Sequence, residues 1–165
     1  MDDGGRCAGA LQVLTQHYFK SVNLLHNYKE NSKIMIKERF ISYVEESIRK
    51  NWDKEALSNY REKGYTYRQI AEMMVKQHIA FRECGIREGD KIALLGRNSA
   101  NWCSMYLAVV TYGAVVVPIL PDFKPDDLHN IINHSDSKIL FVDDKLWESL
   151  ESEKIKEIQC ARSLD

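Results

Sequence analysis

The sequence lacks the features that mark several classes of protein. It carries a formal net charge of -1 over 165 residues and has no block of lysine and arginine, so nucleic acid is not expected as a partner. The four cysteines are widely spaced and form no C-x-x-C pair, which argues against a zinc knuckle or a redox dithiol. The acidic start is a poor signal peptide, and free thiols in a reducing cytoplasm are the simplest interpretation.

Motifs for phosphate and metal binding are also missing. The eight glycines form neither a Walker loop nor G-x-G-x-x-G. His129 and His134 are five residues apart on a predicted helix, so they do not share a face as metal ligands four residues apart would. No His/Asp constellation supports Cys103 or Ser104 as a nucleophile. The sequence therefore assigns no catalytic, cofactor-binding or metal-ligating residue.

One long uncharged run, from Asn98 to Pro121, needs an explanation. Polar residues open it, and Gly113 and Pro118 interrupt what remains, whereas a membrane span needs about 20 predominantly apolar residues. We therefore expect buried elements of a globular domain here, and no transmembrane segment.

Hydrophobic periodicity predicts an N-terminal helix followed by a short hairpin. Apolar residues recur near helical spacing from Met35 to about Asn51, and "EALSNY" and "YTY" are typical of two short strands around a turn at Gly64. Residues 1–34 show no clean period. We interpret them as an extension that is either disordered or a non-native start, and we assign the domain to residues 35–165.

From Lys91 onward the predicted elements alternate as β-α-β-α-β-α-β. Valine-rich "AVVVPI" is predicted as a strand covered on both faces because it lacks polar alternation. A helix is expected from Asp143 to Leu150, and a last strand begins in "IKEIQC". This order indicates an α/β fold, a layered parallel sheet with flanking helices and right-handed crossovers.

Local signals fix the ends of two helices. Thr66 and Gln69 fit a capping box at the start of a helix that carries His78 inward and stops at Gly85. The turn from Gly96 to Ser99 has two interpretations. Ser99 caps the next helix, which is the favoured one, or the turn binds an anion with help from its arginine.

Four short motifs, in this order and spacing, resemble the N-terminal part of the adenylate-forming enzymes, the superfamily of acyl-CoA synthetases, luciferases and peptide synthetases. They are Thr66–Ile70, Gly85–Ala93, Asn98–Trp102 and Val109–Pro118. The resemblance covers about residues 35–150 and is closest to long-chain fatty acid–CoA ligase-like members. Gln69 stands where the family often has glutamate.

The resemblance implies a parent enzyme that activates a fatty acid or other carboxylate as an acyl-adenylate and then transfers the acyl group to CoA. ATP, Mg²⁺ and CoA are implied for that parent and no cofactor for this chain, because the family's phosphate-binding loop, later acidic motifs and lysine-bearing domain are not in the sequence. We expect an inactive, truncated fragment that self-associates through an uncovered sheet edge. The alternative is a stand-alone, non-catalytic, flavodoxin-like binding or interaction module.

Overall fold

A computed structural model of the chain describes residues 39–156 and 158–164. Helix α1 (Phe40–Lys50) is followed by an antiparallel hairpin of β1 (Glu55–Leu57) and β2 (Tyr65–Thr66), as the sequence predicts. Helix α1 ends where its periodicity ends. Its expected beginning near Met35, and the extension expected before it, lie outside the described residues.

An alternation of helices and strands follows the hairpin and confirms the α/β prediction. Strands β3, β4, β5 and β6 form one parallel sheet in the order β4-β3-β5-β6. No helix among the described residues is long and apolar enough to cross a membrane. The elements are α2 (Tyr67–Glu83), β3 (Lys91–Leu95), α3 (Ala100–Tyr112), β4 (Val115–Ile119), α4 (Pro125–His134), β5 (Ser137–Val142), α5 (Asp144–Trp147), a 3₁₀ turn (Ser152–Lys154) and β6 (Cys160–Ser163).

The predicted helix ends are confirmed at atomic detail. The Thr66 hydroxyl accepts the Gln69 amide at 3.3 Å, and the Gln69 side chain accepts the Thr66 amide at 2.8 Å. This closes the capping box and satisfies two donors at the start of α2. Helix α2 ends at Glu83, and Gly85, the predicted stop, has φ at +72°, a left-handed conformation that suits glycine.

Both faces of β3 are covered, but by different helices. Successive side chains of a strand point to opposite faces, so Ile92 and Leu94 pack on one side while Ala93 and Leu95 pack on the other. Helices α2 and α3 cover the first face, and α4 covers the second. The sheet is therefore wound on both sides, and its core is split into two layers. The main helical contributors are Ile70, Met74, Phe81, Met105, Ala108, Val109, Leu128 and Ile132.

The prediction that "AVVVPI" is covered on both faces is confirmed only in part. Val116 packs against the first core layer and Val117 against the second, but the strand is less buried than β3. Within the described sheet, β4 pairs only with β3 and so forms an edge. Val115 is 46% exposed, and Pro118 is also exposed. The edge position of β4 follows from the winding order. The chain passes from β3 outward to β4 and then returns across the sheet to β5, so no later described strand lies beyond β4.

The helix expected from Asp143 to Leu150 is much shorter than predicted. Helix α5 spans only Asp144–Trp147. The next amides, of Ser149 and Leu150, bond to carbonyls three residues back, which tightens the chain into a turn. This turn buries Leu150 in the second core layer, and burial of that side chain competes with a longer helix. The last strand begins at Cys160, the final residue of the segment proposed for it.

Candidate functional site

A crevice for a ligand is expected at the carboxyl ends of β3 and β5. The winding direction reverses between these two strands, and open α/β sheets bind ligands in the crevice at such a reversal. Gly96 follows β3 directly, and Asp143 follows β5. The turn from Gly96 to Ser99 therefore lies at the expected position for a binding loop.

Protein atoms fill this crevice at its base. A Cβ atom on Gly96 would lie only 2.7 Å from Asp143 Oδ1 and 2.7 Å from Leu164 Cδ2. The Arg97 amide donates to Asp143 Oδ2 at 2.8 Å. Glycine is needed at residue 96 because the Asp143 carboxylate and the chain after β6 approach the backbone closely.

The amides around the start of α3 are engaged within the protein. The Ser99 hydroxyl accepts the Trp102 amide at 3.0 Å, and Asn59 Oδ1 accepts the Ala100 amide at 2.9 Å. The Arg97 guanidinium lies 3.2 Å from the Asp122 carboxylate. Two carboxylates thus face this turn, from Asp122 and Asp143, and they repel an anion. The capping interpretation of Ser99 is confirmed, whereas its companion Asn59 was not foreseen.

A shallow cleft of about 390 Å³ opens beside this turn, between the hairpin and the start of α3. Cys103 is the only thiol among its lining residues. Burial raises the pKa of the Cys103 thiol, which keeps it protonated and unreactive. The cleft therefore offers a binding surface without a reactive thiol. Its lining consists of Leu57, Ser58, Asn59, Tyr60, Asn98, Ser99, Ala100 and Cys103.

His78 joins α2 to α3 and is satisfied there, as its inward position predicts. Its Nε2–H donates to the Ala108 carbonyl at 2.9 Å, and the Thr111 hydroxyl lies 3.1 Å from the same nitrogen. Burial lowers the pKa of His78, the Arg82 charge acts in the same direction, and the bond to Ala108 opposes them. His78 is therefore a neutral residue whose hydrogen bond links α2 to α3.

A second polar cluster was not found by reading the sequence. Ligand-capable atoms of Asp126, His129 and Glu151 all lie within 4.8 Å of one another. Asp126 and His129 are three residues apart on α4, so they share a face. In the sequence, the spacing of His129 relates it only to His134. No sequence pattern connects Glu151 to these two residues, because only the turn after α5 brings it close to α4.

The described fold, a four-stranded parallel sheet with helices on both faces and a hairpin before it, is that of the N-terminal subdomain of adenylate-forming enzymes. The chain belongs to the AMP-binding enzyme family, whose sequence pattern matches residues 44–165. Family membership therefore rests on about three quarters of the chain, and the fold agrees with it.

Relatives of known name share part of this segment. The 4-hydroxybutyrate–CoA ligase 2 of Metallosphaera sedula is 35% identical over 91 residues, which are 55% of this chain and 17% of that protein. Long chain acyl-CoA synthetase 5 of Arabidopsis thaliana is 30% identical over 80 residues, which are 48% of this chain and 12% of that protein. The chain thus spans a small fraction of the length of these relatives.

A solved structure of the anthranilate CoA ligase AuaEII, in complex with anthranoyl-AMP, shares the fold. The superposition has a TM-score of 0.71 at 21% identity and covers 79% of this chain and 25% of that one. At this identity the likeness concerns the fold alone.

Proposed function

We propose that this chain is the N-terminal part of an ATP-dependent, AMP-forming acyl-CoA synthetase that activates a long-chain fatty acid. The observation that carries the proposal is the family match over residues 44–165. An acyl-adenylate forms first in this chemistry, and the acyl group then passes to the thiol of CoA. ATP, Mg²⁺ and CoA belong to that complete enzyme, because the metal neutralises the polyphosphate charge.

The choice of a long-chain fatty acid rests on two observations. The motifs of this chain read most like those of long-chain fatty acid–CoA ligases, and a relative bearing the long-chain acyl-CoA synthetase name shares 30% identity. Another relative is named for 4-hydroxybutyrate, and a structural neighbour for anthranilate. Since these names span aliphatic and aromatic acids, a carboxylate substrate is the common denominator and the long chain is the specific proposal.

The 165 residues by themselves are proposed to be inactive in adenylation. Catalysis of phosphoryl and nucleotidyl transfer depends on groups that stabilise charge on the phosphates. No glycine-rich phosphate motif occurs in the sequence. At the turn beside β3, two carboxylates and engaged amides disfavour an anion. What this segment supplies is the scaffold of one sheet.

Carboxylate-dependent exchange of labelled pyrophosphate into ATP tests the proposal. The purified chain should give no exchange above a no-protein blank with a long-chain fatty acid, 4-hydroxybutyrate or anthranilate. Exchange above that blank would contradict the inactive-fragment proposal. Sequencing the source transcript past residue 165 tests whether the chain is part of a longer synthetase. If the reading frame continues, the longer product should exchange fastest with the long-chain acid, and equal or faster exchange with either other acid would overturn the substrate proposal.

A further inference from the structure

The cluster on α4 has the composition of a transition-metal site. Asp126 and His129 lie one turn apart on the same face, and Glu151 reaches them from the turn after α5. An imidazole nitrogen and two carboxylate oxygens are ligands that Zn²⁺ accepts at about 2.0–2.2 Å. Donor atoms within 4.8 Å of one another can meet a common ion after small side-chain rotations. The geometry is therefore close to a three-ligand site.

His129 is already held in a form that a metal can use. The residue is only 4% exposed, and its Nε2 accepts the Glu151 amide at 3.1 Å. The ring is thus neutral, with its proton on Nδ1 and its Nε2 lone pair directed toward Glu151. Buried Nδ1 has no hydrogen-bond partner among the described residues. Neutral imidazole with a free or exchangeable lone pair is the ligand form of histidine.

A cation already sits between the two carboxylates. Lys154 Nζ lies 2.6 Å from Glu151 Oε1 and 3.7 Å from Asp126 Oδ1. The two carboxylates therefore already hold one positive charge between them. Because the lysine side chain is about half exposed, water can replace its contacts when it moves away.

The turn that carries Glu151 and Lys154 is fixed against α4. The Asn133 side chain donates to the Lys154 carbonyl at 2.7 Å and accepts the Lys156 amide at 2.9 Å. An open cleft of about 550 Å³ borders the cluster and gives an ion a path from solvent. Its lining consists of Asp126, His129, Asn130, Asn133, Glu153, Lys154 and Lys156.

We propose that Asp126, His129 and Glu151 form a binding site for a divalent ion of the Zn²⁺ class, and that the Lys154 ammonium takes the place of the ion when no metal is bound. Binding exchanges the Glu151 amide for the metal at His129 Nε2 and releases Lys154 to solvent. Two carboxylates then neutralise the divalent charge. The site is independent of the proposed adenylation chemistry, since no step of that chemistry is assigned to these residues.

Calorimetric titration of the full chain with Zn²⁺, and absorption titration with Co²⁺, test the site. Asp126 is the best position for a variant, because its side chain is 87% exposed and its loss should not disturb folding. Asp126→Asn should weaken the metal affinity at least ~10-fold. Even mutation of residues that only hydrogen-bond to metal ligands typically lowers the affinity by about 10- to 100-fold. Asp127→Asn is the matched control on the same turn and should leave the affinity within about twofold.

The lysine variants distinguish this proposal from an ordinary ion pair. Lys154→Met should strengthen metal binding by roughly 2- to 5-fold, the factor expected from removing one exposed competing ammonium. Lys156→Met, which changes the other lysine at the cleft, should have a smaller effect. Equal affinities for the two aspartate variants, no binding at millimolar metal, weaker binding by Lys154→Met, or a sulfur-to-cobalt charge-transfer band would each overturn the proposal. Thermal midpoints of the metal-free variants confirm that each is folded.

Discussion

Strands β3 and β4 lie side by side, are both rich in aliphatic residues, and differ sharply in burial. Ile92, Ala93, Leu94 and Leu95 of β3 are all 0% exposed, whereas Val115 of β4 is 46% exposed. The two strands pair in register along their whole length. The difference therefore comes from their places in the sheet, the centre for β3 and the edge for β4. A valine-rich run indicates a strand but does not tell how many neighbours that strand has.

Shortening a side chain on each strand gives the largest expected contrast. Leu94→Ala should lower the free energy of unfolding by about 2–5 kcal/mol, because it removes buried methyl groups and leaves a cavity. Val115→Ala should change it by no more than about 0.5 kcal/mol, as for most surface substitutions. Urea denaturation at one temperature measures both. Similar losses in the two variants would show that β4 is covered in solution and that the contrast between the strands is false.

Acid should weaken the layer of helices that covers one face of β3. Since burial lowers the pKa of His78, the folded chain binds fewer protons at this residue than the unfolded chain does. The stabilisation is complete above the ordinary histidine pKa of about 6.5 and is lost as the pH falls toward the lower folded-state value. His78→Gln should flatten this part of the stability profile and cost about 1 kcal/mol near neutral pH through a weakened bond to Ala108.

The matched control for this pH profile is His134→Gln, which changes an exposed histidine at the end of α4. It should leave the slope of the parent chain intact. The titration of Asp90 and Asp136 should not contribute to this slope. Lys138 holds the pKa of the Asp90 carboxyl below its ordinary range, and Lys91 does the same for Asp136. Denaturant midpoints between about pH 5 and about pH 7.5 supply the profile. If His78→Gln keeps the full slope, the titrating group lies elsewhere.

The smallest effect on stability, and a specific effect on association, is expected from Val115→Lys. An edge strand presents unpaired backbone groups, and a charge on it opposes pairing with another chain. We predict that the parent chain self-associates and binds a hydrophobic dye, and that this variant reduces both while unfolding at nearly the same urea concentration. Tyr60→Lys is the control, because Tyr60 is 84% exposed but lies off the parallel sheet.

Sedimentation velocity at several concentrations decides the outcome for the edge. A parent chain that stays monomeric throughout, without dye binding, would show that the sheet edge needs no cover. Equal suppression of association by Tyr60→Lys would place the contact elsewhere.

Local features of the fold were predictable because neighbouring residues determine them. A few consecutive residues determine the capping box of Thr66 and Gln69, the hydroxyl cap of Ser99 and the left-handed Gly85 after α2. The alternation of helices and strands was also visible, since it follows from hydrophobic periodicity. These features were enough to identify the class of fold and the resemblance.

Features that depend on contacts between distant residues were not predictable. Leu150 is buried in the second core layer beyond the end of α5, and only the packed core shows this. The exposure of Val115 depends on the strand order, which composition does not encode. At the candidate sites, Asn59 reaches the Ala100 amide across 41 residues, and the Glu151 amide reaches His129 across 22. Such pairs have no short-range signal, so a single sequence leaves them open.

The central position of β3 and the edge position of β4 should also give their amide hydrogens different rates of exchange with solvent. The β3 hydrogens are enclosed by strands on both sides and helices on both faces, so they should exchange with deuterium only when the whole domain unfolds. Outward-pointing hydrogens of β4 should exchange during brief local openings, and Pro118 has no amide hydrogen to record. Strand β4, at the edge, would thus take up deuterium before β3, which lies in the centre of the sheet.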